Sequence, residues 1–340
     1  MNKTNNIVII GGGPCGIEAA KALAKLGYTP FLIEKENHLG GHLAKWDRLF
    51  PLGESADKVL TEITASMENI KTFLNTEVLS VNRLDKSYNV ILSNGVSLIA
   101  DALLFTTGFS LFNATKKEEY GYGIYNHVIT NADLEHYFSE SINDDRIKSP
   151  EAIGFVHCVG SRDEKAGNRH CSKVCCATAV KQACELKAKF PNATIYCFYM
   201  DLRMFGRYYE DMYLEAQKKY GIRFVRGRVS EVSEKQDGRL FVKAEDTLSG
   251  KPLRVSLDLL VLMAGMVHNP DTDKLARMLS LPSGDDGFLQ SKDMFTASDE
   301  SPKKGIFYAG TCTGPKTLPE TRAEGKSAAL SIHSYLCEKD

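Results

Sequence analysis

The sequence lacks a net charge of either sign. Its 340 residues carry 42 lysine and arginine side chains against 43 aspartates and glutamates, which gives a formal net charge of −1. A balance this even provides no general attraction to nucleic acid or to an anionic membrane surface. We therefore expect no nucleic-acid partner.

Long apolar segments are lacking too. No apolar run approaches the ~20 residues that span a bilayer, and no charged-then-apolar leader precedes the first strand-like run, NIVII. We therefore expect no membrane span and a cytoplasmic location. The apolar fraction of 43% and the charged fraction of 25% are typical of a soluble globular chain, and the length suits two domains.

The N-terminal region contains a complete dinucleotide-binding pattern. The run NIVII is followed by Gly11, Gly13 and Gly16 in the spacing G-x-G-x-x-G. An amphipathic helix ending at Gly27 and a second strand closing on Glu34 come next. The glycines permit a tight turn and a close approach to a pyrophosphate, the helix N-terminus stabilises that anion, and the acid can bind ribose hydroxyls. This pattern predicts a βαβ unit that binds a dinucleotide.

Two later segments favour FAD over NAD. Gly40 and Gly41 follow the second strand closely, where flavoproteins with two dinucleotide-binding domains carry a similar pair near the flavin. Near the C-terminus, the run GIFYAG is typical of a strand, and Thr317 with Glu320 predicts a capping box for a helix with Pro319 in its first turn. In such flavoproteins the positive end of this helix points at the flavin pyrimidine. A strand and helix that only pack are the alternative.

An internal repeat indicates a second unit of the same kind. DALLFTTG from Asp101 and DLLVLMAG from Asp258 each contain an acid, an apolar strand and a turn of small residues, after hairpin-like strands. The second unit would open with the strand AIGFVHCVGS, the helix SKVCCATAVKQACELKAKF and the strand ATIYCFYM. The glycine-rich phosphate turn is missing there, so we expect weak or no binding of NAD(P)H.

Four cysteines stand in place of that turn, at Cys158, Cys171, Cys175 and Cys176. The total of nine cysteines is odd, which argues against a fully paired disulfide framework, and clustered thiols in a reducing compartment more often serve metal or redox chemistry. Four thiolates are the usual ligands of a [4Fe–4S] cluster. A zinc site and a catalytic thiol or disulfide are the alternatives, although zinc prefers paired cysteine knuckles that this spacing lacks.

The stretch DLRMFGRYYEDMYLEAQKKYGIRFVRGR, which begins at Asp201, interleaves basic and aromatic residues. A solvated helix followed by a strand is the simpler interpretation. Docking of an acidic partner or substrate is the alternative.

Several segments together carry a family resemblance. They are CVGSRD, then C-S-x-V-C-C with Lys181 five residues after the last cysteine, TTGFSLFNATKKEEYGYGIYNHVIT, YMDLRMFGRYYE and GTCTGPKTLPET. With them the chain resembles the A subunit, the flavoprotein, of heterodisulfide reductase over nearly its whole length. The resemblance implies FAD, a [4Fe–4S] cluster, other subunits of a complex as partners, and a homodimer.

The resemblance is to a short form of this family. The methanogen subunits are much longer and carry ferredoxin-like cysteine runs that are missing here. The compact form resembles the A subunit of the heterodisulfide-reductase-like complexes of sulfur-oxidising bacteria and archaea. This implies an electron-transfer subunit in cytoplasmic sulfur oxidation. The alternatives are a flavoprotein subunit of a quinone-interacting oxidoreductase, an NAD(P)H-dependent disulfide reductase, and a non-catalytic subunit that binds FAD only to fold.

The resemblance also implies site residues. The four cysteines match the cluster ligands one by one. Lys181 matches a lysine close to flavin N5, where an ammonium would stabilise negative charge on the reduced flavin; an exposed helix lysine is the alternative. The resemblance and the motifs together give these candidates for binding FAD: Gly11, Gly13, Pro14, Cys15, Gly16, Glu34, Lys35, Gly41, His42, Val78, Thr107, Gly108, Gly310, Lys316 and Thr317.

The fold expected is α/β, with two Rossmann-like dinucleotide-binding domains in a thioredoxin-reductase-like FAD flavoprotein core. We expect a discontinuous FAD domain from residues 1–145 and 270–340. A second domain, which carries the iron–sulfur cluster, is expected over 146–269.

Overall fold

The computed structural model describes residues 5–67, 70–139 and 144–338. The strands are β1 (Asn6–Ile10), β2 (Thr29–Ile33), β3 (Arg48–Leu49), β4 (Glu54–Ser55), β5 (Lys71–Phe73), β6 (Val78–Arg83), β7 (Tyr88–Leu92), β8 (Ser97–Ala100), β9 (Ala102–Phe105), β10 (Phe109–Leu111), β11 (Val128–Thr130), β12 (Ala152–Val159), β13 (Thr194–Tyr199), β14 (Arg223–Arg226), β15 (Val229–Glu234), β16 (Leu240–Asp246), β17 (Lys251–Leu257), β18 (Leu259–Ala264), β19 (Met266–His268) and β20 (Ile306–Tyr308). The α-helices are α1 (Pro14–Lys25), α2 (Ala56–Thr64), α3 (Asn131–Ser139), α4 (Cys175–Lys189), α5 (Tyr209–Lys218), α6 (Pro270–Leu279) and α7 (Leu318–Cys337).

The first compact unit comprises Met1–Ala44, Ala56–Ser110 and Val267–Asp340. Its main sheet is parallel, in the order β20-β9-β1-β2-β5, and a separate antiparallel sheet has the order β6-β7-β8. The apolar strand β1 lies in the middle of the parallel sheet, where both of its faces are covered. Helix α1 packs against α7 and β2, so the glycine turn before α1 opens at the carboxyl end of the central strand.

The second compact unit comprises Lys45–Ser55 and Leu111–Met266. Its parallel sheet has the order β11-β18-β12-β13-β14, and an antiparallel sheet has the order β15-β16-β17. Helix α4 connects the neighbouring parallel strands β12 and β13 and packs on both. This is a second Rossmann-like βαβ opening, and the predicted α/β fold with two such domains is confirmed.

Asp101 and Asp258, the acids that start the two repeated segments, make equivalent hydrogen bonds in their units. In the first, Asp101 Oδ2 accepts a hydrogen bond from the backbone N–H of Asn6 at 3.0 Å, which ties the start of β1 to the residue before β9. In the second, Asp258 Oδ2 accepts from the backbone N–H groups of Glu151 and Ala152, each at 2.8 Å. The acid at the head of each repeat therefore holds the opening strand of its own unit in register with the neighbouring strand.

The division between the units differs from the expected one. Strand β11 pairs in parallel with β18, so the chain enters the second unit at Leu111 and not near residue 146. A strand of three residues has too little periodicity to be recognised in the sequence. The segment Lys45–Ser55 also belongs to the second unit, and the return to the first unit comes at Val267 instead of 270.

Among the residues described, no helix has both the length and the apolar character that a membrane span needs.

Candidate functional site

The predicted glycine turn contains two glycines required by the fold and one with open space. Gly11 has a φ of +113°, and a Cβ there would overlap the Thr106 carbonyl oxygen. A Cβ on Gly16 would overlap the carbonyl oxygen of Gly11. Gly13 is extended, at φ −72°, and a Cβ there would meet nothing within 4 Å. Helix α1 begins at Pro14 without a side-chain cap, so its N-terminus and the space at Gly13 fit an anionic pyrophosphate.

Other predicted residues converge on this turn. The backbone N–H of Gly40 donates to the Gly12 carbonyl oxygen at 2.9 Å. A Cβ on Gly41 would lie 3.4 Å from the Cα of Gly13, and a Cβ on Gly310 would lie 3.0 Å from the Cys15 side chain. The glycine pair after β2 and the glycine after β20 thus border the same helix N-terminus as the phosphate turn.

A cavity of about 110 Å³ adjoins the turn. Five predicted residues line it, namely Gly11, Glu34, Lys35, Val78 and Thr107. The Glu34 carboxylate accepts hydrogen bonds from the backbone N–H groups of Gly12 at 2.6 Å and Glu36 at 2.9 Å, which fixes it at the cavity wall. The mixed polar and apolar lining suits the ribose and adenine of a dinucleotide.

Sequence reasoning missed the opposite wall of this cavity. Asn269, at the N-cap of α6, donates from Nδ2 to the Thr107 carbonyl oxygen at 2.8 Å. Asp271 pairs with the predicted Lys35, with 2.6 Å between Nζ and Oδ2. An Asn-Pro pair before an amphipathic segment signals a helix start, but nothing local indicates that this helix begins beside residues 162 and 236 positions earlier in the chain.

The predicted capping box of α7 is confirmed. Thr317 Oγ1 accepts from the backbone N–H of Glu320, and the Glu320 carboxylate accepts from the Thr317 N–H at 2.9 Å. The ammonium of Lys316 donates to the Gly310 carbonyl oxygen at 3.0 Å and to Thr313 Oγ1 at 2.6 Å. Lys316 and Thr317 thereby lie in the turn that links β20 to α7.

The remaining two candidates lie near the end of β9. Gly108 has a φ of +74° and faces the Thr311 hydroxyl. The His42 ring stacks on Phe109 with 4.1 Å between centroids, and its Nε2 lies 3.0 Å from the Phe109 carbonyl oxygen. The first unit therefore holds all fifteen FAD candidates within its own fold.

The second unit brings three of the four predicted ligand cysteines together. Cys158 lies at an irregularity of β12, between the paired residues Val156 and Val159, with a φ of +59°. Such a bulge re-aims a side chain at the end of a strand. Cys175 and Cys176 form the first residues of α4 and are buried. The Cys175 thiol hydrogen-bonds with those of Cys158 and Cys176.

This contact distributes the protons of the three thiols unevenly. The hydrogen bond with Cys175 lowers the pKa of Cys176 to about 4, helped by the nearby His157 imidazole and against the effect of burial. The same partner lowers the pKa of Cys158 to about 7. The pKa of Cys175 is raised well above its ordinary value by these hydrogen bonds and by burial. Thiolate is the form that binds metal, so the set is suited to a soft metal.

Cys171 has a different contact. Its sulfur accepts a hydrogen bond from the backbone N–H of Lys173 at 3.3 Å. In the part of the chain that the structure describes, no group of three or more histidine, cysteine, aspartate or glutamate side chains has an arrangement ready to hold a metal ion. The donor chemistry thus fits an iron–sulfur cluster, although the described side chains are not arranged ready to hold one.

Two side chains close to Cys158 in the sequence have buried polar atoms that lack a full hydrogen bond. Neither ring nitrogen of the buried His157 has a partner of full hydrogen-bond geometry within residues 5–67, 70–139 and 144–338, and the same holds for the hydroxyl of Ser161. Buried polar groups of this kind normally have a partner. Their position on either side of Cys158 fits a site that is completed by a bound group.

Lys181 is buried, with 5% of its side chain exposed, so the alternative of an exposed helix lysine is wrong. Its ammonium donates to Glu135 Oε1 at 2.5 Å and to the Arg48 carbonyl oxygen at 3.0 Å. It lies 5.3 Å from the centroid of the Trp46 ring. Glu185 Oε2 is 3.4 Å away. Sequence reasoning missed these partners.

Glu185 makes stability depend on pH. Burial raises its pKa to about 7 from an ordinary 4.5, and the Lys181 ammonium only partly opposes this. The group is neutral in both the folded and the unfolded protein below the unfolded pKa, and the burial of its charge costs stability increasingly as pH rises to the folded pKa.

Glu185→Gln is therefore expected to stabilise the protein by about 1–3 kcal/mol at pH 8 and by little at pH 5. Anaerobic thermal unfolding at both pH values measures this. The control is Glu215→Gln, at an exposed ion pair on α5; equal stabilisation of the Glu185 variant at both pH values would contradict the prediction.

Comparison with known proteins finds similarity over part of the chain to a family profile and over nearly all of it to individual proteins. A profile described as pyridine nucleotide-disulphide oxidoreductase matches residues 2–137. The second iron–sulfur A subunit of CoB–CoM heterodisulfide reductase from Methanopyrus kandleri is 30% identical over an alignment that covers 99% of this chain and 65% of that protein. The iron–sulfur A subunit of the Methanocaldococcus jannaschii enzyme is 31% identical, over 96% of this chain and 63% of its own. The chain is thus similar to the heterodisulfide reductase A subunit over nearly its whole length. It spans slightly less than two thirds of the length of these relatives.

Solved structures agree on the fold. Thioredoxin reductase of Lactococcus lactis has a TM-score of 0.70 at 16% identity and covers 98% of this chain and 100% of its own. Thioredoxin reductase of T. acidophilum has a TM-score of 0.66 at 15% identity, over 97% of this chain and 98% of its own. The chain therefore has a thioredoxin-reductase-like fold.

Proposed function

We propose that the chain is the FAD and [4Fe–4S] electron-transfer subunit of a heterodisulfide-reductase-like complex. The observation that carries this proposal is the contrast between the two Rossmann-like units. The first keeps an open glycine turn at Gly13. In the second, the Cys175 thiol hydrogen-bonds with those of Cys158 and Cys176 where that turn would lie.

The residues have separate tasks in this proposal. The turn from Gly11 to Gly16, with the cavity beside Glu34 and Lys35, would hold FAD, and the four cysteines would hold the cluster. When bound, FAD supplies one- or two-electron chemistry, and the cluster supplies one-electron chemistry. The buried Lys181 side chain is held by its hydrogen bond to Glu135, and it would stabilise negative charge on a reduced flavin.

The setting is part of the proposal. The compact form favours cytoplasmic sulfur oxidation, with the chain as a homodimer in contact with other subunits. A quinone-interacting oxidoreductase is the second setting, because it would use the same two cofactors in a subunit of the same build. The test below addresses the cofactors, which both settings share.

Anaerobic purification followed by analysis of iron, acid-labile sulfide and flavin tests the proposal. We expect about four irons, four sulfides and one FAD per chain. Zinc in place of iron would assign the thiols to a structural site. A colourless protein without metal or flavin would remove the proposal altogether.

Absence of rapid reduction by NADH is a further expected result. The second unit lacks the glycine turn that brings a backbone close to a pyrophosphate. NADH or NADPH at about 1 mM, at the upper end of the KM range of most enzymes, is expected to bleach the flavin absorbance at least about a hundredfold more slowly than photoreduction with deazaflavin. Stopped-flow absorbance measures both rates, and fast bleaching by either nucleotide would favour an NAD(P)H-dependent disulfide reductase.

A further inference from the structure

The loop between β13 and α5 presents aromatic side chains to solvent. Phe205 is 60% exposed and Tyr208 is 41% exposed. Tyr208 has a φ of +73°, a left-handed backbone that a bulky residue rarely adopts. Between them and β13, the buried Met204 packs into the core of the second unit. The buried Met204 thus anchors the loop to the core, while the Phe205 and Tyr208 rings are exposed to solvent.

Cations surround both rings. The Arg207 guanidinium lies 4.8 Å from the centroid of the Tyr208 ring, and the Lys173 ammonium lies 6.0 Å from that of Phe205. Arg203, Arg226 and Arg228 are exposed as well. We call Lys173, Arg203, Phe205, Arg207, Tyr208, Arg226 and Arg228 the basic–aromatic surface.

Short contacts tie Arg226 and Arg228 to Met200, the first residue of the loop. Arg226 Nε donates to the Met200 carbonyl oxygen at 3.4 Å. Arg228 Nη2 donates to the Arg162 carbonyl oxygen at 3.3 Å. Asp201 pairs with Arg162 and lies 3.6 Å from Arg203 Nε, so its charge is already compensated within the surface.

The basic character is local. From Asp201 to Arg228 the sequence has seven lysines and arginines against four aspartates and glutamates, whereas the whole chain is balanced at −1. A positive patch on a neutral protein selects negatively charged partners and raises their association rate. Exposed tyrosine and arginine together are typical of the centre of a protein interface, which favours a folded partner over a small anion.

The loop that carries the surface contacts one of the thiols. The Cys176 sulfur is 4.0 Å from the carbonyl oxygen of Asp201, the second residue of the loop. Cys171 accepts a hydrogen bond from the backbone of Lys173, which belongs to the surface. A partner docked here would come within a few residues of the four predicted ligands.

We propose that the basic–aromatic surface docks an acidic one-electron carrier protein. One electron passes between the carrier's redox group and the cofactors of this chain, with no bond formed or broken. The proposal rests on the proposed function for the identity of those cofactors. The docking itself depends only on the surface and can be tested without them.

The test compares two double charge reversals in the purified protein. Arg207→Glu with Arg226→Glu changes the basic–aromatic surface, and Lys251→Glu with Arg254→Glu makes the same change in charge at exposed positions of β17 in the same unit. The probe is a bacterial ferredoxin chosen for its excess of acidic residues, and cytochrome c, with an excess of basic residues, is the opposite-charge probe. Surface plasmon resonance gives affinity at about 20 and 300 mM salt, a range over which charge screening changes strongly.

We expect ferredoxin to bind the unchanged protein at low salt and cytochrome c not to bind. The Arg207/Arg226 variant should lose about tenfold or more in affinity, and the Lys251/Arg254 variant less than about twofold. In stopped flow, flavin reduction by reduced ferredoxin should slow in parallel, while photoreduction by deazaflavin, which needs no docking, stays unchanged.

Equal loss in both variants, or no binding of ferredoxin by the unchanged protein, would overturn the docking proposal. So would single-stranded DNA or anionic vesicles that bind as tightly and depend on Arg207 and Arg226 equally, because the surface would then recognise any polyanion. Protein without iron that still shows the expected binding pattern would contradict the proposed function but support the docking proposal. Iron-loaded protein in which the two double variants bind ferredoxin equally would contradict the docking proposal but support the proposed function.

Discussion

A Cys175→Ser variant is expected to lose nearly all of its iron while it keeps one FAD per chain. Cys175 is the central member of the three thiols, because it hydrogen-bonds with both Cys158 and Cys176. A serine hydroxyl is a much poorer ligand for iron than a thiolate. The FAD candidates lie in the first unit, whose strands and helices do not include this helix. Anaerobic iron, sulfide and flavin assays on the purified variant measure the result.

Two further variants sharpen this experiment. Cys184→Ser changes a half-buried cysteine on the same helix and is expected to keep its iron. Cys171→Ser is expected to lose iron as well, because Cys171 is the fourth predicted ligand; full iron in that variant would mean that another group supplies this ligand. Loss of FAD together with iron in Cys175→Ser would contradict the separation of the two sites.

The parts that sequence could predict follow local rules. Gly11 and Gly16 are required in the turn because any side chain there would overlap a neighbouring carbonyl oxygen. The α7 capping box depends on two residues three positions apart. Such patterns span few residues, so the sequence shows them directly. The repeat acids at Asp101 and Asp258 could be recognised because each stands at the head of a full apolar strand.

The parts that sequence could not predict depend on distant contacts. Lys181 is buried because Glu135 and Trp46 arrive from other segments of the chain, and no local pattern around Lys181 indicates them. The carboxylate partner of Lys35 is 236 positions away. Strand β11 has three residues, which cannot show a period, so the sequence predicts the boundary between the units too late in the chain. These features exist only once the sheets have assembled.

Gly13→Val is expected to weaken FAD binding by roughly a hundredfold or more, about 3 kcal/mol, without destabilising the fold. The backbone at Gly13 is extended, with φ −72° and ψ 179°, a conformation that valine favours. A Cβ there meets no atom of the protein within 4 Å. The new side chain would instead fill the space through which a pyrophosphate reaches the N-terminus of α1.

Two other glycines provide the comparison for this variant. Gly27 has a φ of +89° after α1, so Gly27→Ala is expected to cost about 1 kcal/mol of stability and to keep its flavin. Gly16→Val is expected to lose fold and flavin together, because its side chain would overlap the Gly11 carbonyl oxygen. Flavin absorbance after release from the protein, with unfolding midpoints of the flavin-free forms, separates the three outcomes. A Gly13→Val protein that keeps one FAD per chain would mean that the dinucleotide binds away from this turn, and its iron content, which depends on the other unit, should not change in either case.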